Sequence, residues 1–372
     1  MKTVMRGVAL AAATALVLAA CGAAPDDEGI TIAEPGGEET TTQEPIDFTA
    51  CIVSDAGGFD DKSFNQLSYE GTKKAAEELG AGFREVQSDS ETDFAPNLDA
   101  MIAEGCNAIV SVGFALSAAT VESATANPDV EYILVDDAAD NDFDGTKDAE
   151  NIKPLLYDTA QAAFLAGYLS AGYSQTGKVG TFGGMNFPTV AIFMDGFAQG
   201  VAHYNEVNGT AVEVIGWNTE TQDGSFTGGF EANDGAKAIA AGIIGQGVDV
   251  LLPVGGPIYQ SARDAIADSG KEIALLGVDA DVYNTDPSVG PLLLTSIMKN
   301  MDVSTYEAIL AAGQGNFDPE AYVGTLENGG VGIAPLHDYE GKVDAALVAE
   351  VEQLKMDIIS GAVSVTSYLS GS

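Results

Sequence analysis

The residues best suited to chemistry stand close together in CIVSDAGGFDDKSFNQLSYEG, residues 51–71. Asp55 offers a carboxylate that accepts hydrogen bonds, Phe64 a flat face for stacking, and Asn65 an amide that donates and accepts. No nucleophile with a partner base accompanies them, so the chemistry is that of holding a polar, ring-containing molecule. Similar residues recur where apolar runs end. Gly113 and Phe114 close AIVSVGF, Asp136 closes EYILVDD, and Asp279 closes LLGVD. A charge directly after four or five residues fit for burial is unusual on a solvated face. Taken singly, each could be a helix cap. Gly183-Gly184 and Gly255-Gly256 also follow apolar runs, where a missing side chain lets backbone approach a ligand.

Motifs that make and break bonds are missing. HExxH, GxSxG, a Walker loop and CxxC do not occur. The two histidines, His203 and His337, lack a context for triad or zinc chemistry. No catalytic residue, metal or cofactor is therefore expected, and the chain reads as a binder. With 15 basic and 56 acidic residues the formal charge is −41, which repels nucleic acid and anionic lipid alike. The acidic residues spread along the whole chain, as a general solubility device would.

These residues need a scaffold that brings strand ends together. Strand candidates rich in β-branched residues are ACIVS, FREVQ, AIVSVG, EYILVDD, KVGTFGG, AVEVIGW, VDVLLPVGG and IALLGVDA. Amphipathic stretches at 65–78, 95–103, 118–126, 158–170, 189–204, 234–242 and 258–269 alternate with them, and 344–361 reads as a final helix. Such alternation means parallel sheets with helices on both faces, and ligands bind outside the carboxyl ends of their strands. The length exceeds what one core supports, so two lobes are expected. Residues 47–154 plus about 284–327 form the first lobe, and 155–283 plus about 328–372 the second. Hinge segments are expected near 152–156, 283–291 and 325–331.

The first 20 residues carry Lys2 and Arg6 before an apolar run, and LAAC ends it at Cys21. This pattern predicts a lipoprotein signal peptide, acylation of Cys21 and an extracytoplasmic body anchored at the cell membrane by lipid alone. Residues 21–46 read as a lipidated, disordered acidic stalk. Cys51 and Cys106 each open a strand candidate, and first and third strands are usually neighbours. A disulfide between them and two buried thiols are equally compatible readings.

The blocks DAGGFDDKSFNQLSYEG (55–71), VGFALSAATVESATANPDVEYILVDD (112–137), AQAAFLAGYLSA (160–171), GKVGTFGGMNFPTVAIFMDGFAQG (177–200), GVDVLLPVGG (247–256), GVDAD (277–281) and TSIMKNMDVSTYEAI (295–309) resemble the basic membrane protein (BMP, or Med) lipoprotein family. Members are substrate-binding proteins of ABC transporters. The resemblance implies the type I periplasmic-binding-protein fold: α/β, two doubly wound parallel-sheet lobes joined by a multi-strand hinge. It further implies a monomer that takes a purine nucleoside and passes it to a permease. Phe64 would stack on the base and Asn65 and Asp136 would bond its edge. Asp55, Asp279 and Lys299 would hold the ribose, with a backbone contact from Gly256. Where family members often carry an aromatic, this chain has Leu252 and Pro253, so the second stacking partner is open among Phe114, Phe187 and Tyr259. The 217–230 segment also looks long for the family. Other small ligands (a sugar, a flavin, a signalling molecule) and a secreted nucleoside- or glycoside-processing enzyme are the alternatives, with a sensor role in place of transport a third.

Overall fold

Runs such as ACIV and AIVSV can be buried on both faces only inside a parallel sheet, and the longer Ala-rich stretches cover those faces. The computed structural model describes residues 46–370, so the signal peptide, Cys21 and most of the stalk lie outside the described residues. The first lobe runs β1 (Thr49–Val53), α1 (Phe64–Leu79), β2 (Gly82–Val86), α2 (Phe94–Ala103), β3 (Ala108–Val112), α3 (Ser117–Ala126), β4 (Glu131–Val135) and β5 (Ile152–Tyr157). The chain then builds a second lobe from α4 (Thr159–Tyr173), β6 (Lys178–Gly183), α5 (Pro188–Asn208), β7 (Glu213–Ile215), a small hairpin of β8 (Trp217–Asn218) and β9 (Asp223–Gly224), α6 (Asp234–Ile244), β10 (Val250–Val254), α7 (Ile258–Ser269), β11 (Ala274–Asp279), α8 (Val282–Thr285) and β12 (Leu293–Lys299). It returns for α9 (Met301–Gly313) and β13 (Tyr322–Gly324), then crosses again to β14 (Val331–Ile333) and α10 (Ala345–Ile359).

The two sheets repeat one plan. The first has the order β13-β5-β4-β3-β1-β2 and is parallel throughout. The second has the order β14-β12-β11-β10-β6-β7, and only β14 runs antiparallel. Strand order therefore reverses between β1 and β3 in one lobe and between β6 and β10 in the other, the switch points where such sheets open a crevice. This is the expected doubly wound α/β fold.

Two boundaries differ from expectation. The strand β5 keeps 152–157 within the first sheet, so residues 155–157 stay with the first lobe and the first passage follows the expected 152–156. The middle passage moves further. The chain changes lobes at residues 157–159, at 299–301 and between 324 and 331. The middle passage thus lies well after 283–291. Those residues form α8 and a turn that lead into β12, and β12 pairs with β11 along most of its length. Residues 284–299 belong to the second lobe. The helix α9, absent from the amphipathic candidates, packs on α1, where Thr305 Oγ1 donates to the Ser68 carbonyl at 3.3 Å.

Two close contacts hold the scaffold under the cavity. Cys51 and Cys106 are joined by a disulfide with a Cα–Cα distance of 5.9 Å, which ties β1 to the start of β3. In the second lobe α4 and α5 meet backbone to backbone. A Cβ at Gly167 would overlap the Phe197 carbonyl, and one at Gly200 the Phe164 carbonyl.

Candidate functional site

The carboxyl ends of both sheets face one cavity of about 620 Å³, its mouth included. Asp55, Phe64, Asn65, Phe114, Asp136, Gly256, Asp279 and Lys299, all named from sequence, line it together. Asp55 follows β1, Phe64 and Asn65 open α1, and Phe114 follows β3. Asp136 follows β4, Asp279 ends β11, Gly256 follows β10 and Lys299 ends β12. Asp136 and Asp279 occupy equivalent places in the two sheets. Both adopt left-handed backbone, with φ of 67° and 66°. Aspartate tolerates that region better than most residues, and such strain gathers at ligand sites.

Lys299 is the cation of the cavity. It is 2% exposed, ion-paired with Asp136, and 3.8 Å from Asp279. The faces of Phe64, Tyr157 and Phe193 lie 5.4, 5.8 and 5.0 Å from its ammonium. Aromatic faces and one carboxylate therefore stand in for its lost water. The carboxylates far outnumber it. Burial pushes the Asp279 carboxyl up to about 7, against the pull of Lys299 and with repulsion from Asp136 and Asp61. Burial likewise lifts Asp55 to about 6, opposed by hydrogen bonds from Asn65 and Gly57. Asp136 is raised by burial in spite of Lys299.

The apolar wall is phenylalanine from both lobes. Phe114 and Phe187 face each other across the cleft at 5.0 Å between ring centres, and Phe230 lies 6.0 Å beyond Phe187. Of the candidates for the second stacking partner, Phe114 and Phe187 line the cavity. Tyr259 does not, because its hydroxyl is drawn away to Asp286 at 2.9 Å. Phe193, Phe230 and Asp61 were not named from sequence. Phe230 ends the long 217–230 segment, whose hairpin folds it back over the cavity. Asp61 accepts from the N–H groups of Ser63, Asn65 and Gln66, which the start of α1 leaves without partners inside the helix. An acidic residue just before the helix was the available signal for it.

Lobe contacts surround the cavity. Ser63 Oγ donates to Asp279 at 3.3 Å, and Thr285 Oγ1 to the Lys62 carbonyl at 2.6 Å. Among the described residues no histidine, cysteine or hydroxyl nucleophile paired with a base lines the cavity. His203 packs on Phe164 and Tyr168, and His337 pairs with Asp281.

Two doubly wound lobes that close polar strand ends and aromatic rings around one cavity define a solute-binding protein of the type I periplasmic fold. An ABC-transporter solute-binding protein of Aeropyrum pernix K1 is 26% identical, with a TM-score of 0.76 over 87% of this chain and 94% of its own. Residues 48–368 match the family of PnrA-like ABC transporter substrate-binding proteins (Bmp), and the chain belongs to that family. The Lactococcus lactis ABC transporter nucleoside-binding protein BmpA is 27% identical over 98% of this chain and 99% of its own. An uncharacterized lipoprotein of Pyrococcus abyssi is 28% identical over 80% of this chain and 71% of its own. The Aeropyrum and Lactococcus proteins are both described as binding proteins of ABC transporters.

Proposed function

We propose that this protein captures a purine nucleoside between its lobes and hands it to an ABC permease at the extracytoplasmic face of the membrane. The observation that carries the reading is the cavity's division of labour. Phenylalanines from both lobes offer ring faces on which a flat base can stack, while Asp136, Lys299 and Asp279 form a buried polar end suited to vicinal hydroxyls. A base stacked on such a ring gains about 1–3 kcal/mol. The Lactococcus relative named for nucleoside binding supports the same substrate class. Two placements change. Asp136, expected at the base edge, is ion-paired with Lys299 and we place it at the hydroxyl end. Asp55, expected at the ribose, is hydrogen-bonded to Asn65 at 2.7 Å and we place it at the base end.

Anchoring fits this role. Among the described residues no helix is long and apolar enough to cross a membrane, and the LAAC sequence ending at Cys21 supplies an acylation site. Mass spectrometry of the mature N-terminus should show a diacylated cysteine; an unmodified one sinks the anchor.

Calorimetric titration with purine and pyrimidine nucleosides, free bases and ribose tests the ligand. Purine nucleosides should bind and return chemically intact. Phe64→Ala should weaken nucleosides and free bases about tenfold or more. Tight binding of ribose with no binding of any purine nucleoside would overturn the reading.

A further inference from the structure

The second lobe has its own crevice at the switch point between β6 and β10, and a side chain fills it. Gly184 follows β6 and Gly255 follows β10, side by side at the carboxyl ends of paired strands. By sequence, glycines at these places leave room for a ligand to approach backbone. The structure gives that room to Phe230. A Cβ at Gly184 would overlap the Phe230 ring, and one at Gly255 would stand 2.6 Å from it, so the ring rests on both backbones. The same ring lines the cavity, its centre 6.0 Å from that of Phe187. Phe230 keeps this seat because the segment before it is bonded to the sheet. Beyond the end of β7, residues 225–228 run beside the end of β6. The Gly183 N–H donates to the Ser225 carbonyl, the Thr227 N–H to the Gly183 carbonyl and the Gly228 N–H to the Gly184 carbonyl, each at 2.9 Å. The β8–β9 hairpin is pinned to α5, where Asp195 Oδ1 accepts from Trp217 Nε1 at 3.0 Å and from Gln222 Nε2 at 2.8 Å. A ring braced in this way sets a fixed boundary, since packed protein yields little.

We propose that Phe230 is a specificity-determining residue that closes the second lobe's crevice and excludes ligands carrying a bulky apolar group directed into it. The proposal rests on the nucleoside reading and adds a size limit to it. A phenyl ring offers no charge and no strong hydrogen bond, so its effect is one of volume. Removing it leaves a pit of ring size bordered by Gly184, Gly255 and Phe187. Neighbouring backbone collapses only in part around such a deletion, and an apolar pit of that kind stays dry and takes up an aromatic ring. The residue that shuts the crevice in the wild type is therefore the one whose loss should admit a larger ligand.

The test is calorimetric titration of the full chain and of Phe230→Ala with adenosine and guanosine. Benzyl derivatives of the tighter-binding parent follow, substituted on the exocyclic amine, at C8 or at the 5′ carbon. Each carries, on a different corner, the phenyl ring that the substitution removes. In Phe230→Ala one derivative should gain about tenfold or more relative to its parent, and the corner that gains is the one facing the crevice. No gain by any derivative while the parent still binds overturns this inference and leaves the nucleoside reading intact. An equal gain by all three marks a loosened cavity and overturns it too. Failure of both parents to bind the wild type overturns the nucleoside reading, and this inference with it. Gly184→Ala is the second check. Its methyl group lifts the ring off its seat, with the cavity and Phe187 beyond it. The parent should then bind about tenfold more weakly, and Gly184→Ala combined with Phe230→Ala should restore it. A loss that persists in the double variant refutes the seat. Should Phe230→Ala fail to fold, Phe230→Leu makes the same comparison, and again the absence of a selective gain refutes the size limit.

Discussion

Among the described residues Asp55, Asp61, Asp136 and Asp279 meet Lys299 as the one cation lining the cavity, so positive charge is short there. Burial lifts the Asp279 carboxyl to about 7 and Asp55 to about 6, which means the folded state holds protons that the unfolded chain releases near pH 4. A raised carboxyl contributes stability that is complete below its unfolded pKa and is lost as pH rises through its folded one. Melting temperature of the unliganded protein should therefore fall between about pH 4 and pH 7, and Asp279→Asn should flatten the upper part of that fall. A slope equally steep in Asp279→Asn refutes the assignment. Asp55, Phe114, Asp136 and Asp279 share one rule, a polar or aromatic group at the end of a buried strand, and that rule is local enough to read. Asp61 and Phe230 escaped it for physical reasons. The first acts by capping a helix, and the second reaches the cavity only through the fold of a hairpin far along the chain.

Most strands and helices were legible because apolar period and turn residues agree along the chain. The exceptions are instructive. The helix α9 has apolar or small residues around most of its circumference, since it lies between α1 and the first sheet, and so shows little amphipathic signal. The second hinge passage could not be located because membership of β12 in a sheet depends on pairing with β11, a choice no local pattern encodes. The disulfide was one of two open readings for the same reason: it needs β1 beside β3. The α4–α5 contact, by contrast, is written in the AGYLSAG and GFAQG sequences. Its helices can approach so closely only while Gly167 and Gly200 lack side chains. Gly200→Leu should then cost about 1–3 kcal/mol or more in urea denaturation. Because α5 also carries Thr189 and Phe193 to the cavity, ligand affinity should fall with it. Wild-type stability in that variant would refute backbone-to-backbone packing.

At the scale of the whole molecule, the charge of −41 and the cavity obey different rules. Surface carboxylates repel one another through water, where a Debye length of about 10 Å at 0.1 M salt screens them. Salt should therefore raise the melting temperature steadily. A neutral nucleoside, enclosed at strand ends, makes its contacts inside that screening distance and carries no charge for the surface to repel. Its affinity should change by less than about threefold between 0.05 and 1 M sodium chloride. A nucleoside 5′-monophosphate differs on both counts. Its anion must cross a strongly negative surface and then sit among carboxylates that already outnumber Lys299. It should bind far more weakly than the parent nucleoside, and salt should narrow the gap by weakening the surface repulsion. Titration of both ligands across the salt series decides the matter. Comparable affinity for the monophosphate at low salt would mean that Lys299 is freed from Asp136 to receive a phosphate, and that the charge of the cavity is set by the ligand rather than by the fold.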